Sequence, residues 1–349
     1  MGNKKDERVG LSHTMRSRMF GCERKALLGG LMRLRPREEK AALRMGTLFD
    51  KLATGQIEIE DMEDIYNKRI DESQNYEEWK EVVILRSLFR LYEERFPRFR
   101  EEDSNKVFSH HIYSPTGRPH ARVKAVGECD GIDGNTLIER KTTGLTIEQR
   151  VANIARDNQL RGYVKGAQSL GKAIHEVSYR VVRKPRLRQK KNEGWPEFLQ
   201  RIEESIAADP ESYIGEAKMT IDERFVFGFH QHLWEAARRF NDMLMRGRNH
   251  CIGQLRNPKK PTGKALSNGY GLTGLTIVNE AVNASPSGKA MAASTYETLA
   301  TMYPQNTDRC GDYGGCDFLP ICSNPFNVDP FADYKCQSHM NPELAHVQK

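Results

Sequence analysis

Two stretches of strand-forming sequence, Ala121 to Ile132 and Thr136 to Lys141, are joined by Asp133-Gly134-Asn135. Gly-Asn or Asp-Gly between alternating runs is a strong signal for a two-residue hairpin turn, because these residues tolerate the positive φ that such turns require. Only two registers are then open. With Gly134-Asn135 as the loop, Asp130 lies opposite Glu139; with Asp133-Gly134 the pairing slides by two. Either way Asp130, Glu139 and Lys141 share one face. Two carboxylates beside an ammonium make a hard oxygen site for a divalent cation, with a positive group able to hold a water or steady a developing negative charge. Taken alone, three charged residues are better explained by an exposed strand face with an ordinary ion pair. Glu128, two before Asp130, is a spare carboxylate on the same face.

Around this hairpin the chain alternates between helical and extended patterns. Tyr76 to Arg95 carries Trp79, Val82, Val83, Leu85, Leu88, Phe89 and Tyr92 at helical spacing and stops before Pro97, so its stripe is core packing. Val107 to Tyr113 and Glu176 to Val182 read as strands. Ile147 to Leu170, Trp195 to Ala207 and Ile221 to Arg246 read as helices, and Asn268 to Ser294, rich in Gly, Ser, Asn and Ala, reads as an excursion without periodicity. Cys129 points to the strand face opposite Asp130 and reads as a small buried thiol, while Trp195 and Trp234 read as core anchors. The expected architecture is α/β, a mixed sheet flanked by helices. We read the 349 residues as a single domain with a helical part over 1–105, an α/β core over 106–182 and a basic loop, helices and cysteines over 183–349.

Seven cysteines without a secretion signal make a complete disulfide framework a poor expectation. Cys310, Cys316 and Cys322 are packed into DRCGDYGGCDFLPIC, where glycines and a proline let a chain wrap around a metal centre. A fourth ligand must come from Cys22, Cys129, Cys251 or Cys336. The net charge of +7 is modest, but Arg180 to Lys191 reads RVVRKPRLRQKK with no acid. Such a run suits a phosphate backbone as well as it suits a solvated loop. No apolar run reaches the length of a membrane span, and the first residues lack an apolar signal core; a cytosolic protein is the expectation.

Asp130 followed after eight residues by Glu139-Arg140-Lys141 resembles the PD-(D/E)XK nuclease core. Gln159 and Tyr163, four apart on the next predicted helix, resemble the Q-x-x-x-Y motif of RecB-like and lambda-exonuclease-like members. Ser12 to Leu34, with Cys22, is similar to the opening helix of the RecB-like branch that carries an iron-sulfur cluster, including AddB-type and CRISPR-associated exonucleases. The resemblance implies a restriction-endonuclease-like fold whose chain ends are joined by a [4Fe-4S] cluster on Cys22, Cys310, Cys316 and Cys322. The spacings of five and five depart from the commoner two and five, which leaves open a zinc site, or Cys336 as substitute ligand. It also implies Mg²⁺ or Mn²⁺ held by Asp130, Glu139 and the Arg140 carbonyl. Asp50, four after Gly46, stands where the branch usually has a histidine ligand; a carboxylate is a harder donor, so Mg²⁺ should serve at least as well as Mn²⁺.

The resemblance thus implies a DNA exonuclease of the kind found in phage and prophage recombination or repair. Lys141 would stabilise the transition state, Gln159 and Tyr163 would contact the strand or position the lysine, and Arg183, Lys184, Arg186 and Arg188 would meet phosphates. DNA is the implied partner, with a recombination annealing protein or a helicase as a further one. The same core also suits an endonuclease or an RNA-acting nuclease. A non-catalytic DNA-binding subunit with a structural zinc is the third class, against which the intact Asp130, Glu139 and Lys141 argue.

Overall fold

The hydroxyl of Ser12 accepts a hydrogen bond from the Met15 N–H at 3.3 Å, and this cap starts the first helix. The computed structural model describes residues 8–31, 34–37, 39–73, 76–96, 104–255, 303, 305–306, 310, 316–318, 322 and 334–336. A short strand β1 (Val9–Leu11) precedes α1 (His13–Gly21). At Cys22 the backbone becomes extended, with φ −161° and ψ 115°, so the opening helix expected up to Leu34 is broken at the cysteine. It resumes as α2 (Glu23–Ala26) and a π-helical turn, Leu27–Leu31. β2 (Leu34–Pro36), α3 (Ala41–Ala53), α4 (Ile59–Ser73) and α5 (Tyr76–Arg95) follow. The last has the expected bounds and buries its apolar stripe except for Trp79, which is 39% exposed.

The central strands are β3 (Ser104–Tyr113), β4 (Pro119–Asp133) and β5 (Thr136–Thr143). Beyond them the helix expected over 147–170 is two, α6 (Ile147–Val151) and α7 (Asn158–Ser169), separated by a 3₁₀ turn. The Asp157 carboxylate accepts the Gln159 N–H at 2.7 Å, and this cap restarts the chain as α7. β6 (Glu176–Arg183) and α8 (Trp195–Ala208) stand where expected. β7 (Ile214–Thr220) is an additional strand, and the helix expected from Ile221 is divided at Gly228 (φ +79°) into α9 (Glu223–Val226) and α10 (Phe229–Leu255). The last described strand is β8 (Tyr334–Cys336). Asn268 to Ser294 lies outside the described residues.

The sheet is mixed. β4 and β5 are antiparallel, β5 and β6 parallel from Thr136↔Glu176 to Thr143↔Arg183, and β6 and β7 antiparallel. A parallel β5–β6 pair needs a crossover, which α6 and α7 provide.

The chain forms two units, and β3 and β4 are divided between them. Residues 39–108 and 128–227 make one. Its strands send alternate residues to two apolar clusters: Val182 joins Phe49, Leu85, Phe89, Phe198 and Ile202, while Val177, Tyr179 and Val181 join Leu137, Leu160, Val164 and the buried Cys129. Helices therefore cover both faces of the sheet. Gly166 allows α7 its close approach, because a Cβ there would stand 2.4 Å from the Phe108 ring.

Residues 1–38, 109–127 and 228–349 make the other unit. Its core gathers Met15, Met19, Leu27, Leu28, Ala236, Phe240, Met243, Tyr303 and Phe318. The Tyr303 hydroxyl donates to the Met243 carbonyl, and Leu34 pairs with Cys336 in a two-stranded antiparallel ladder. Segments from both ends of the chain thus share one core. No helix among the described residues is long and apolar enough to cross a membrane.

Candidate active site

Gly134 takes φ +55° and the loop is Gly134-Asn135, the first of the two registers. The ladder runs from Asp133↔Thr136 to Gly131↔Ile138. One step further on, the Asp130 Oδ2 accepts the Arg140 N–H at 2.6 Å, so the side chain of β4 takes the donor that a ladder bond would otherwise use. Glu139 has no exposed surface. The Lys141 ammonium forms an ion pair with its Oε1, and no aligned hydrogen bond reaches either carboxylate oxygen. A buried carboxylate short of donors is costly unless a cation serves it. Burial pushes the Glu139 carboxyl up, against the pull of Lys141 and with a further push from Asp130. Burial acts to lower the Lys141 pKa, but the Glu139 and Asp130 carboxylates more than offset it and keep the ammonium charged.

Asp50 reaches this strand from α3. Its Oδ1 lies 3.8 Å from the Arg140 Nε. Half of its side-chain surface is open, yet the protein around the carboxylate and the neighbouring Asp130 push it up to about 7, against Arg140 and Lys141. On α7 the Gln159 amide donates to the Tyr163 hydroxyl at 2.6 Å. Burial, and then the Glu139 and Asp130 carboxylates, raise the Tyr163 phenol well above its ordinary range. Asp50, Asp130, Glu139, Lys141, Gln159 and Tyr163 therefore gather in one unit.

Sequence reading missed Tyr179 and Arg150. Tyr179 stands beside Glu139 in the β5–β6 register, and the Arg150 guanidinium lies over its ring at 5.6 Å. Strand pairing reveals the first, and the packing of α6 beside β6 the second. The basic run divides. The Lys184 ammonium donates to the Ala42 carbonyl at 3.3 Å and burial lowers its pKa, while Arg183 lies over the Tyr213 ring. Arg186 and Arg188 are exposed, and the Arg186 guanidinium lies against Gly144, one residue past the end of β5.

The cysteines belong to the other unit. Cys22, Cys310, Cys316 and Cys322 are free thiols, all half-buried. The Asn306 N–H points to the Cys22 Sγ at 3.5 Å, and the Gln305 amide to the Cys310 Sγ at 3.5 Å. The Cys316 N–H donates to the Cys310 carbonyl at 2.8 Å. Burial pushes the Cys322 thiol up to about 11; Arg24 draws it down and the nearby Cys316 and Cys22 sulfurs raise it. Cys129 is elsewhere, with no exposed surface and its pKa pushed up to about 12 by burial and then by its acidic neighbours, as a core thiol should be.

Among the described residues, no group of three or more His, Cys, Asp or Glu side chains stands in metal-holding range. On the hairpin each acid is engaged by a donor or cation of the chain itself: Asp130 by the Arg140 N–H, Glu139 by Lys141, Asp50 by the Arg140 guanidinium. The donor chemistry nevertheless fits a hard divalent ion, because the Glu139 oxygens are buried and short of hydrogen bonds. Four half-buried thiols in one unit, two of them (Cys22 and Cys310) met by N–H donors, have the donor chemistry of a soft metal centre. No protein-family model and no curated protein matches the chain.

Proposed function

We propose that the chain is a metal-dependent DNA exonuclease with a restriction-endonuclease-like core and a structural [4Fe-4S] cluster on Cys22, Cys310, Cys316 and Cys322. The observation that carries the reading is a Glu139 carboxylate that is fully buried and lacks aligned hydrogen bonds, paired with Lys141 and within reach of the Asp130 charge, while Asp50 meets the adjacent Arg140. A surface ion pair would not be withdrawn from water in this way. Asp130, Glu139 and the Arg140 carbonyl would hold a divalent ion, with Asp50 at its edge. When bound, that ion polarises the scissile phosphate and acidifies a water. Lys141, paired with Glu139, would present its charge to the phosphoryl oxygens on which negative charge builds up, and Gln159, which donates to the Tyr163 hydroxyl, would fix the direction of that hydroxyl. Arg186, which lies against Gly144 just past β5, and Arg188, also exposed, would hold the flanking phosphates.

The test is a cleavage assay on end-labelled linear and covalently circular single-stranded DNA with Mg²⁺ or Mn²⁺. Degradation of the linear strand alone is the expected result. Cutting of the circle would replace the exonuclease by an endonuclease on the same core, and no cleavage of either DNA by metal-replete protein would overturn DNA catalysis by this chain. The cluster has its own test. Anaerobically purified protein should be brown, with iron and labile sulfide in equal amounts, and Cys22→Ser should bleach it. A colourless protein with stoichiometric zinc would sink the iron-sulfur assignment, and colour lost in Cys336→Ser but kept in Cys22→Ser would move the fourth ligand.

A further inference from the structure

Arg140 sits between the Glu and Lys of the hairpin motif, yet it is neither a solvated residue nor a neutral filler. Its side chain is 1% exposed. The guanidinium lies 3.8 Å by Nε from the Asp50 carboxylate and 3.5 Å by Nη2 from the Asp130 carbonyl, and Nε and Nη1 donate no hydrogen bond. A guanidinium cannot shed its proton to escape burial, so its charge is permanent. The neighbour in register on β6, Arg180, has an acid of its own, Glu216 at 3.8 Å, and a hydrogen bond to the Tyr92 hydroxyl. The charge of Arg140 is therefore directed to Asp50 and Asp130.

In the fully ionised form that binds an ion, the three carboxylates Asp50, Asp130 and Glu139 stand with two fixed cations, Arg140 and Lys141, which leaves one net negative charge. One divalent ion turns this into one net positive charge, whereas a second would have to enter against that charge and beside a guanidinium unscreened by water. We propose that Arg140 is a built-in cation standing in place of a second metal ion: this site takes one divalent ion, and Arg140 positions the Asp50 carboxylate that a second ion would otherwise hold. The inference rests on the nuclease reading of the same site.

Titration of the full-length protein with Mn²⁺, followed by the electron paramagnetic resonance of the free ion, counts the bound ions directly. Sites belonging to the hairpin are those lost in Asp130→Asn; thiolates bind Mn²⁺ poorly, so the cysteines do not confuse the count. The expected result is one hairpin ion in the native protein, one in Arg140→Lys, and two in Arg140→Met, with the first bound about tenfold more tightly once the fixed charge is removed. Two ions on the native protein would overturn the proposal even if Arg140→Met failed to fold. One ion in a folded Arg140→Met would also overturn it, as would two in Arg140→Lys. No hairpin ion at all in the native protein would instead sink the metal-dependent reading on which the inference rests.

Discussion

Lys141→Met should abolish cleavage of linear DNA, by about a thousandfold or more given what a preorganised charge at the transition state contributes. It should also destabilise the fold. The ammonium is the charged partner of a Glu139 that has no exposed surface, so its removal leaves a buried carboxylate unpaired. Breaking one side of a buried pair costs about 3–5 kcal/mol, and proton uptake by Glu139, whose pKa burial already raises, holds the loss to the lower part of that range.

Those two effects can be separated. In Glu139→Gln/Lys141→Met neither member of the pair carries charge, so the desolvation cost of both is removed; such replacements are neutral or stabilising in other buried pairs. Urea unfolding should place the double variant within about 1 kcal/mol of the native protein and well above Lys141→Met, while both stay inactive. If the double variant regained activity along with stability, the pair would be structural and the chemistry would lie elsewhere. Equal stability of all three proteins would show that Glu139 and Lys141 are not coupled.

Much of this site was legible because the hairpin signal is local. Asp133-Gly134-Asn135 fixes the turn to within two residues, and a period of two then puts Asp130, Glu139 and Lys141 on one face whichever register holds. Burial was not legible. Alternation says that Arg140 faces away from Glu139, but nothing in the sequence says that α3 would bring Asp50 against that other face. β7 escaped notice for a related reason: in IGEAKMT only Ile214 and Gly215 are buried, so the strand lacks the apolar alternation by which strands are recognised. The break at Asp157 was carried by an Asp cap inside a stretch that otherwise kept helical spacing. Trp79 fits the stripe of α5 by spacing but stands in its first turn and is exposed.

The position of Asp50 depends on a second buried charge, and Glu81→Ala should expose that dependence with a loss of about 3–5 kcal/mol in urea unfolding. Arg44 and Asp50 both belong to α3. Arg44 is anchored by a two-pronged bond to the Glu81 carboxylate, Nε at 3.0 Å and Nη2 at 2.7 Å, and the buried Tyr66 hydroxyl donates to the same carboxylate at 2.7 Å. Removing that carboxylate strands a guanidinium and a phenol at the junction of α3, α4 and α5, with Glu78, 3.9 Å from Arg44 and already bonded to Arg69, as the remaining acid. Glu81→Gln keeps an acceptor for both donors but loses the charge, so it should fall between the two. Because α3 carries Asp50 to the hairpin, Glu81→Ala should also weaken Mn²⁺ binding in protein that remains folded, whereas Arg69→Ala, which removes an exposed partner of Glu78, should change neither reading by more than about 1 kcal/mol. A Glu81→Ala protein with native stability would mean that the helices, not the buried charges, hold α3 in place.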